Sequence, residues 1–357
     1  MTKTKSRKKR TVSRTHKRKL SGWKRFLRLP YVLLVGIGII ILLTGMAVLN
    51  FNLTEKTEVT ARTGVPVETF QTSYKGYNTS TSWMSWLSDA QRCSKTQKIY
   101  GAKPVAAGDY PVLIYLHGAT ADWSGNREGR EFIERAAAQG FIALAPTYKS
   151  GGKINERRIS RHAYCMFDQN HPNDAMTAIC KTADADCTKG VLVAGFSQGG
   201  TTALVAKNYN SSVKAVWTLG VSAYIYYKED IPKDAITIPN GTRLLPNNKL
   251  VMNIGQATDL KTKDLISADL PSLKAISGKD CGNSYECLKA DGSGYYIVKN
   301  SEIKDGVADH CYWLRVNSWS KGLSCTIWPS KFDPGFQPPA TTEWSMVRNL
   351  EWLRSQL

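Results

Sequence analysis

From residue 110 onward, short apolar runs alternate with stretches in which apolar residues recur every three or four positions. Pro111–Leu116 is apolar and β-branched and predicts a strand. Arg130–Gln139 follows with helical spacing and is ended by Gly140, and Phe141–Ala145 predicts a second strand stopped by Pro146. The alternation continues with a helix over Asn173–Lys181, a strand over Val191–Ala194, a helix over Gly199–Asn208 and a strand over Val213–Leu219. Further strands are expected at Leu250–Ile254 and Tyr295–Val298, and Thr342–Leu357 closes the chain as an amphipathic helix. Strands alternating with helices argue for the α/β class: a mostly parallel sheet flanked by helices, with its site at the carboxyl ends of the strands.

Upstream the pattern changes twice. Leu29–Thr54 carries no charged side chain, and Val32–Leu49 holds twelve Val, Leu or Ile residues. At about 0.4 kcal/mol each these favour membrane insertion by about 5 kcal/mol, and the run is long enough to span the hydrocarbon as a helix. It exceeds the hydrophobic stretch of a cleaved signal peptide and runs out through Asn50, Phe51 and Asn52 without a small-residue cleavage site, so an uncleaved anchor is expected. The order read from the pattern is therefore a tail over 1–28, an anchor over 29–54, a polar, turn-rich stalk over 55–71 and a catalytic domain over 72–357.

Charge adds orientation to this order. Thirteen of the 48 Lys and Arg residues fall in the first 28 positions, where there is no acid; the remainder, 35 basic against 29 acidic residues, accounts for only +6 of the formal +19. The positive-inside rule places this tail in the cytoplasm and everything after Thr54 across the membrane. Beside a membrane span the basic cluster reads as a topology signal rather than a nucleic-acid site. All eight cysteines lie beyond the span, which suits an oxidising compartment. Pairing near neighbours gives Cys180–Cys187, Cys281–Cys287 and Cys311–Cys325, leaving Cys93–Cys165; no C-x-x-C pair suggests zinc, and no cofactor is called for.

The chemistry enters at Gly195–Phe196–Ser197–Gln198–Gly199, which leaves the apolar run Val191–Ala194 directly. G-x-S-x-G between a strand and a helix is a nucleophile elbow: the serine sits on a strained turn that lifts its hydroxyl clear of the backbone, and side chains two residues to either side would collide. The small residues that follow let a helix pack close to the sheet.

From Tyr110 to Leu357 the chain resembles the α/β-hydrolase superfamily, and its GFSQGG stretch is similar to that of carboxylesterases, dienelactone hydrolases and acyl-protein thioesterases. The resemblance implies a triad in the chain order serine, acid, histidine. Of the five histidines only His310 follows Ser197, since His16, His117, His162 and His171 precede it. The acid is expected at Asp259, beyond the Leu250–Ile254 strand, with Glu229 or Asp230 as the fallback and Asp309 as structural. His117–Gly118–Ala119–Thr120 resembles the superfamily's H-G turn, so the Ala119 N–H and the Gln198 N–H would form the oxyanion hole while His117 shapes the turn.

Insertions at Ala223–Asn248 and Lys261–Gly294 are candidates for a lid. Trp83, Trp86, Trp123, Trp313, Trp319 and Trp328 are candidates for an aromatic-lined cleft, against the plainer expectation that they are core. The chain departs from thioesterases after the acid, continuing Leu260–Lys261–Thr262, and secreted polyester hydrolases and cutinase-like esterases fit its compartment better. The reading is a membrane-anchored, extracytoplasmic serine esterase acting on a small-molecule, lipid or polymer ester. A peptidase, amidase or thioesterase of the same fold and a non-catalytic binding protein on a hydrolase scaffold are the alternatives. Asn52, Asn78, Asn210 and Asn240 begin N-x-S/T sequons.

Overall fold

In the computed structural model, residues 64–81, 86–118, 124–150, 156–171, 173–220, 242–245, 279–282, 284–304, 308, 312–315 and 331–357 are described. The tail and the anchor at Leu29–Thr54 lie outside them; among the described residues no helix is long and apolar enough to cross a membrane.

A nine-stranded sheet runs in the order β1-β2-β4-β3-β5-β6-β7-β9-β8. Its strands are β1 (Val67–Gly76), β2 (Lys95–Pro104), β3 (Tyr110–Leu116), β4 (Ile142–Pro146), β5 (Ala185–Phe196), β6 (Val213–Leu219), β7 (Thr242–Leu245), β8 (Glu286–Leu288) and β9 (Gly294–Tyr296). β4, β3, β5, β6, β7 and β9 are mutually parallel, while β1, β2 and β8 run antiparallel to their neighbours.

Alternation along the central strands sorts side chains into two cores. Val112, Ile114 and Leu116 of β3 join Val191 and Val193 of β5 on one face, beneath helices α2 (Glu156–Phe167), α3 (Ala175–Cys180) and α4 (Gln198–Tyr209). Leu113 and Tyr115 join Leu192, Ala194 and Phe196 on the other, beneath α1 (Ser124–Ala137) and α5 (Met346–Arg354). With helices on both faces, the central strands need no polar side, which is why they read as unbroken apolar runs. Asp174 caps α3 by accepting the Thr177 N–H at 2.7 Å, and Ser345 caps α5 from Arg348.

Two elements depart from the expected boundaries. The stretch read as stalk, 55–71, already contains the start of β1, which pairs along its whole length with β2. β1 is an edge strand with an exposed face: Phe70, Thr72, Tyr74 and Gly76 turn inward and alternate with the exposed Gln71, Ser73 and Lys75, so VETFQTSYKG resembles a linker in composition. The segment read as an insertion, Ala223–Asn248, contains β7, a sheet strand beside β6; the strand expected at Leu250–Ile254 lies outside the described residues. Of the sequons, Asn210 is structural: its side chain is buried, donates to the Phe167 carbonyl at 3.0 Å and accepts the Ser212 N–H at 2.9 Å.

Three disulfides join the pairs expected from proximity, Cys93–Cys165, Cys180–Cys187 and Cys281–Cys287. Cys311 and Cys325 lie outside the described residues.

A carboxyl is buried against the second core. Glu128 of α1 accepts the Tyr115 hydroxyl of β3, and burial pushes its pKa up to about 7 against an ordinary 4.5. The folded state therefore retains a proton that the unfolded chain releases, so stability falls as pH rises through this window and the contribution is lost above pH 7. The free energy of unfolding of the native protein relative to Glu128→Gln is expected to drop by about 3 kcal/mol between pH 4.5 and pH 8. Urea denaturation at the two pH values measures it; a constant difference would count against a protonated Glu128.

Candidate active site

β5 delivers the elbow to the carboxyl edge of the sheet. Ser197, with φ 51° and ψ −119°, lies in a region that non-glycine residues rarely occupy, between the last residue of β5 and the first of α4. Its N–H donates to the Leu219 carbonyl at the end of β6 (3.0 Å), and its own carbonyl accepts the Thr201 N–H (3.0 Å). The strained turn is thus held from a neighbouring strand and from the first turn of its helix.

The flanking glycines are required by contact. A Cβ on Gly195 would lie 2.5 Å from the Gly199 carbonyl group, and one on Gly199 would lie 2.0 Å from the Leu116 carbonyl oxygen and 2.5 Å from that of His117. These distances are far inside van der Waals contact, so any side chain would push α4 off β3. From Gln198 to Ala206 every residue of α4 is buried, which its small residues permit. The Gln198 N–H stands at the amino end of this helix, where the dipole favours a developing negative charge.

The exit of β3 lies beside the serine. A Cβ on Gly118 would meet the Phe196 ring at 2.8 Å and the Ser197 Cβ at 3.3 Å. His117 is buried; its ring stacks on that of Tyr148 with centroids 4.1 Å apart, and its Nδ1 lies 2.8 Å from the Gly118 carbonyl oxygen. A carbonyl can only accept, so Nδ1 carries the proton. The His117 ring is thus fixed against the backbone at the exit of β3; Ala119, expected as an oxyanion donor, lies outside the described residues.

Asp259 and His310, and the fallback residues Glu229 and Asp230, also lie outside the described residues. The chain on either side of position 310 does not. Ala308 is buried and donates its N–H to Asn300 Oδ1 at 2.9 Å. The buried Tyr312 hydroxyl is hydrogen-bonded to the backbone of Gly220, the residue after β6. Trp313 packs edge-on against Phe196, the neighbour of Ser197, with ring centroids 5.1 Å apart.

Of the tryptophans read as candidates for a cleft, Trp313 is fully buried in the second core and Trp86 is 70% exposed; the other four lie outside the described residues. Trp217, Trp344 and Trp352, not singled out by the sequence, are the other indole rings of that core among the described residues. Sequence reasoning also missed Tyr148, whose contact with His117 depends on two adjacent strands ending side by side.

A chlorophyllase family model matches residues 70–225, less than half of the chain. No curated protein matches. Among solved structures, the esterase Est22 aligns at 14% identity over 43% of this chain and 44% of that one, with a TM-score of 0.29. A hypothetical protein from Pseudomonas aeruginosa aligns at 17% over 50% and 51%, with a TM-score of 0.33. Brefeldin A esterase, a bacterial homologue of human hormone-sensitive lipase, aligns at 17% over 50% and 48%, with a TM-score of 0.32. This chain spans about half the length of each of these structures.

Proposed function

We propose that this chain is an α/β-hydrolase by fold and acts as a membrane-anchored, extracytoplasmic serine hydrolase of carboxylic esters. The observation that carries the reading is Ser197 itself: a non-glycine residue held at φ 51° on a strand-to-helix turn that requires glycine two positions to either side. Backbone strain of this kind persists only where the surroundings enforce it, and it gathers at functional sites.

In the proposed reaction Ser197 Oγ attacks the ester carbonyl while His310 takes its proton, and Asp259 orients the imidazole and stabilises its charged form. The carbonyl π electrons move onto oxygen, where the N–H groups of Ala119 and Gln198 receive the oxyanion. On collapse the bond to the alcohol oxygen breaks and His310 protonates the leaving group. Water then attacks the acyl-enzyme with His310 as base, releasing the acid and restoring Ser197. The packing of Tyr312 and Trp313 at the ends of β6 and β5 supports assigning the base to this late segment.

The anchor and the compartment belong to the same proposal. The apolar run at Val32–Leu49 and the basic residues before it support an anchor with the domain outside, and three disulfides among the described residues support an oxidising surrounding. The test is covalent labelling of the full chain in detergent with a fluorophosphonate. One adduct on the peptide containing Ser197, prevented by prior denaturation, is the expected outcome. The absence of an adduct would favour a binding protein on a hydrolase scaffold.

A further inference from the structure

Beside the elbow, three described residues form a set of contacts that the reaction as written leaves unused. Tyr148 stands two residues beyond the end of β4, and β4 lies parallel to β3, so the two strands present Tyr148 and His117 together at the carboxyl edge. The Tyr148 hydroxyl donates to the His117 carbonyl, its ring stacks on the His117 ring at 4.1 Å and 20°, and His117 Nδ1–H donates to the Gly118 carbonyl. Tyr148 is buried and backed by the His162 ring of α2 at 5.1 Å, which Tyr77 meets edge-on at 5.4 Å.

Two successive carbonyls are therefore gripped, one by the tyrosine and one by the histidine that the tyrosine supports. A trans peptide is planar, so its N–H points opposite to its C=O. Whatever fixes the Gly118 carbonyl fixes the N–H that follows it, which is the Ala119 donor of the proposed oxyanion hole. A glycine at 118 lets this peptide approach Ser197, and its freedom is also the reason the peptide needs an external brace.

We propose that Tyr148 and His117 are positioning residues for the oxyanion hole, locking the peptide between Gly118 and Ala119 so that its N–H faces the developing charge. The inference rests on the serine-hydrolase reading. The clamp touches no part of the substrate, so its removal changes transition-state binding and leaves ground-state binding alone.

The experiment uses the full chain in detergent, a short p-nitrophenyl ester and an alkyl boronic acid that forms a tetrahedral adduct with the serine. Tyr148→Phe keeps the ring and deletes one hydroxyl. It is expected to lower kcat about 10- to 100-fold, less than or equal to the loss of a donor outright, with KM unchanged within about twofold and boronate affinity reduced in step with kcat. An unchanged kcat and boronate affinity would overturn the clamp, as would a loss that appears in melting temperature alone. Should that variant not fold, His117 keeps the proposal open to refutation: His117→Leu is expected to lose activity as Tyr148→Phe does, and His117→Asn, whose amide can stand where Nδ1 does, to restore most of it. Equal rates for Leu and Asn would overturn the clamp. Ser197→Ala, run alongside, separates the two claims: full activity there would sink the serine reading and the clamp with it, whereas an inactive Ser197→Ala beside a fully active Tyr148→Phe would sink the clamp alone.

Discussion

Ser197→Ala is expected to lower kcat on a short p-nitrophenyl ester by about a million-fold while leaving the melting temperature of the chain nearly unchanged. The large effect follows from the loss of the nucleophile, since the oxyanion donors and the binding site left behind supply only the residual catalysis of an unassisted water attack. The small effect on stability follows from the backbone. Alanine at position 197 must adopt the same φ of 51° as serine, so the strain is retained and only the hydroxyl is lost. Ser197→Gly should be equally inactive and more stable, by about 1 kcal/mol, because glycine adopts this conformation without a Cβ clash. The pair of measurements identifies a strained nucleophile, as a serine that merely turned the chain would show the stability gain with no loss of rate. A Ser197→Ala enzyme of normal rate would end the proposal.

What the sequence made legible is what adjacent residues dictate. The elbow is local in part: Gly195 meets Gly199 across a five-residue turn, so that demand is written in the motif, whereas Gly199 is required by the carbonyls at the end of β3. The central strands β3, β5 and β6 are legible because burial on both faces leaves few polar positions in Val112–Leu116, Val191–Phe196 and Ala215–Leu219. β1 and β2 were not, since an edge pair is half solvent-facing and its polar residues imitate a linker. β7, four residues with an arginine at the second, carries too little pattern to outweigh the longer apolar run at Leu250–Ile254. α2 has apolar residues at Ile159, Ala163 and Met166 with helical spacing, diluted by a charged first turn. Within the proposed site, His310 as base rests on chain order and His117 as the brace of the turn on a motif. Tyr148 could come from neither, because its partner is 31 residues away and the contact exists only when β3 and β4 lie in parallel.

Removal of the Cys93–Cys165 disulfide is expected to cost about 4 kcal/mol of stability, about 2 kcal/mol more than removal of Cys180–Cys187. The difference lies in the unfolded chain: the first bridge closes a loop of 72 residues and the second one of 7, and the entropy withheld from the denatured state grows with the logarithm of that length. Urea denaturation of the two Cys→Ala pairs, each made as a double variant, measures it; equal losses would place the stabilisation in local packing instead. The longer bridge also matters to the site. Cys165 lies on α2 and Cys93 just before β2, both are buried with Tyr77, and Tyr77 abuts His162, which backs Tyr148. Loosening α2 therefore reaches the proposed oxyanion clamp through three rings, so the Cys93–Cys165 variant should lose turnover at temperatures where it is still folded, and the Cys180–Cys187 variant should not. Under the proposed reading, the longest cross-link among the described residues supports both stability and the transition-state donor, and an oxidising compartment is what forms it. Export across a membrane before the cysteines pair, as proposed for this domain, is what would meet that requirement.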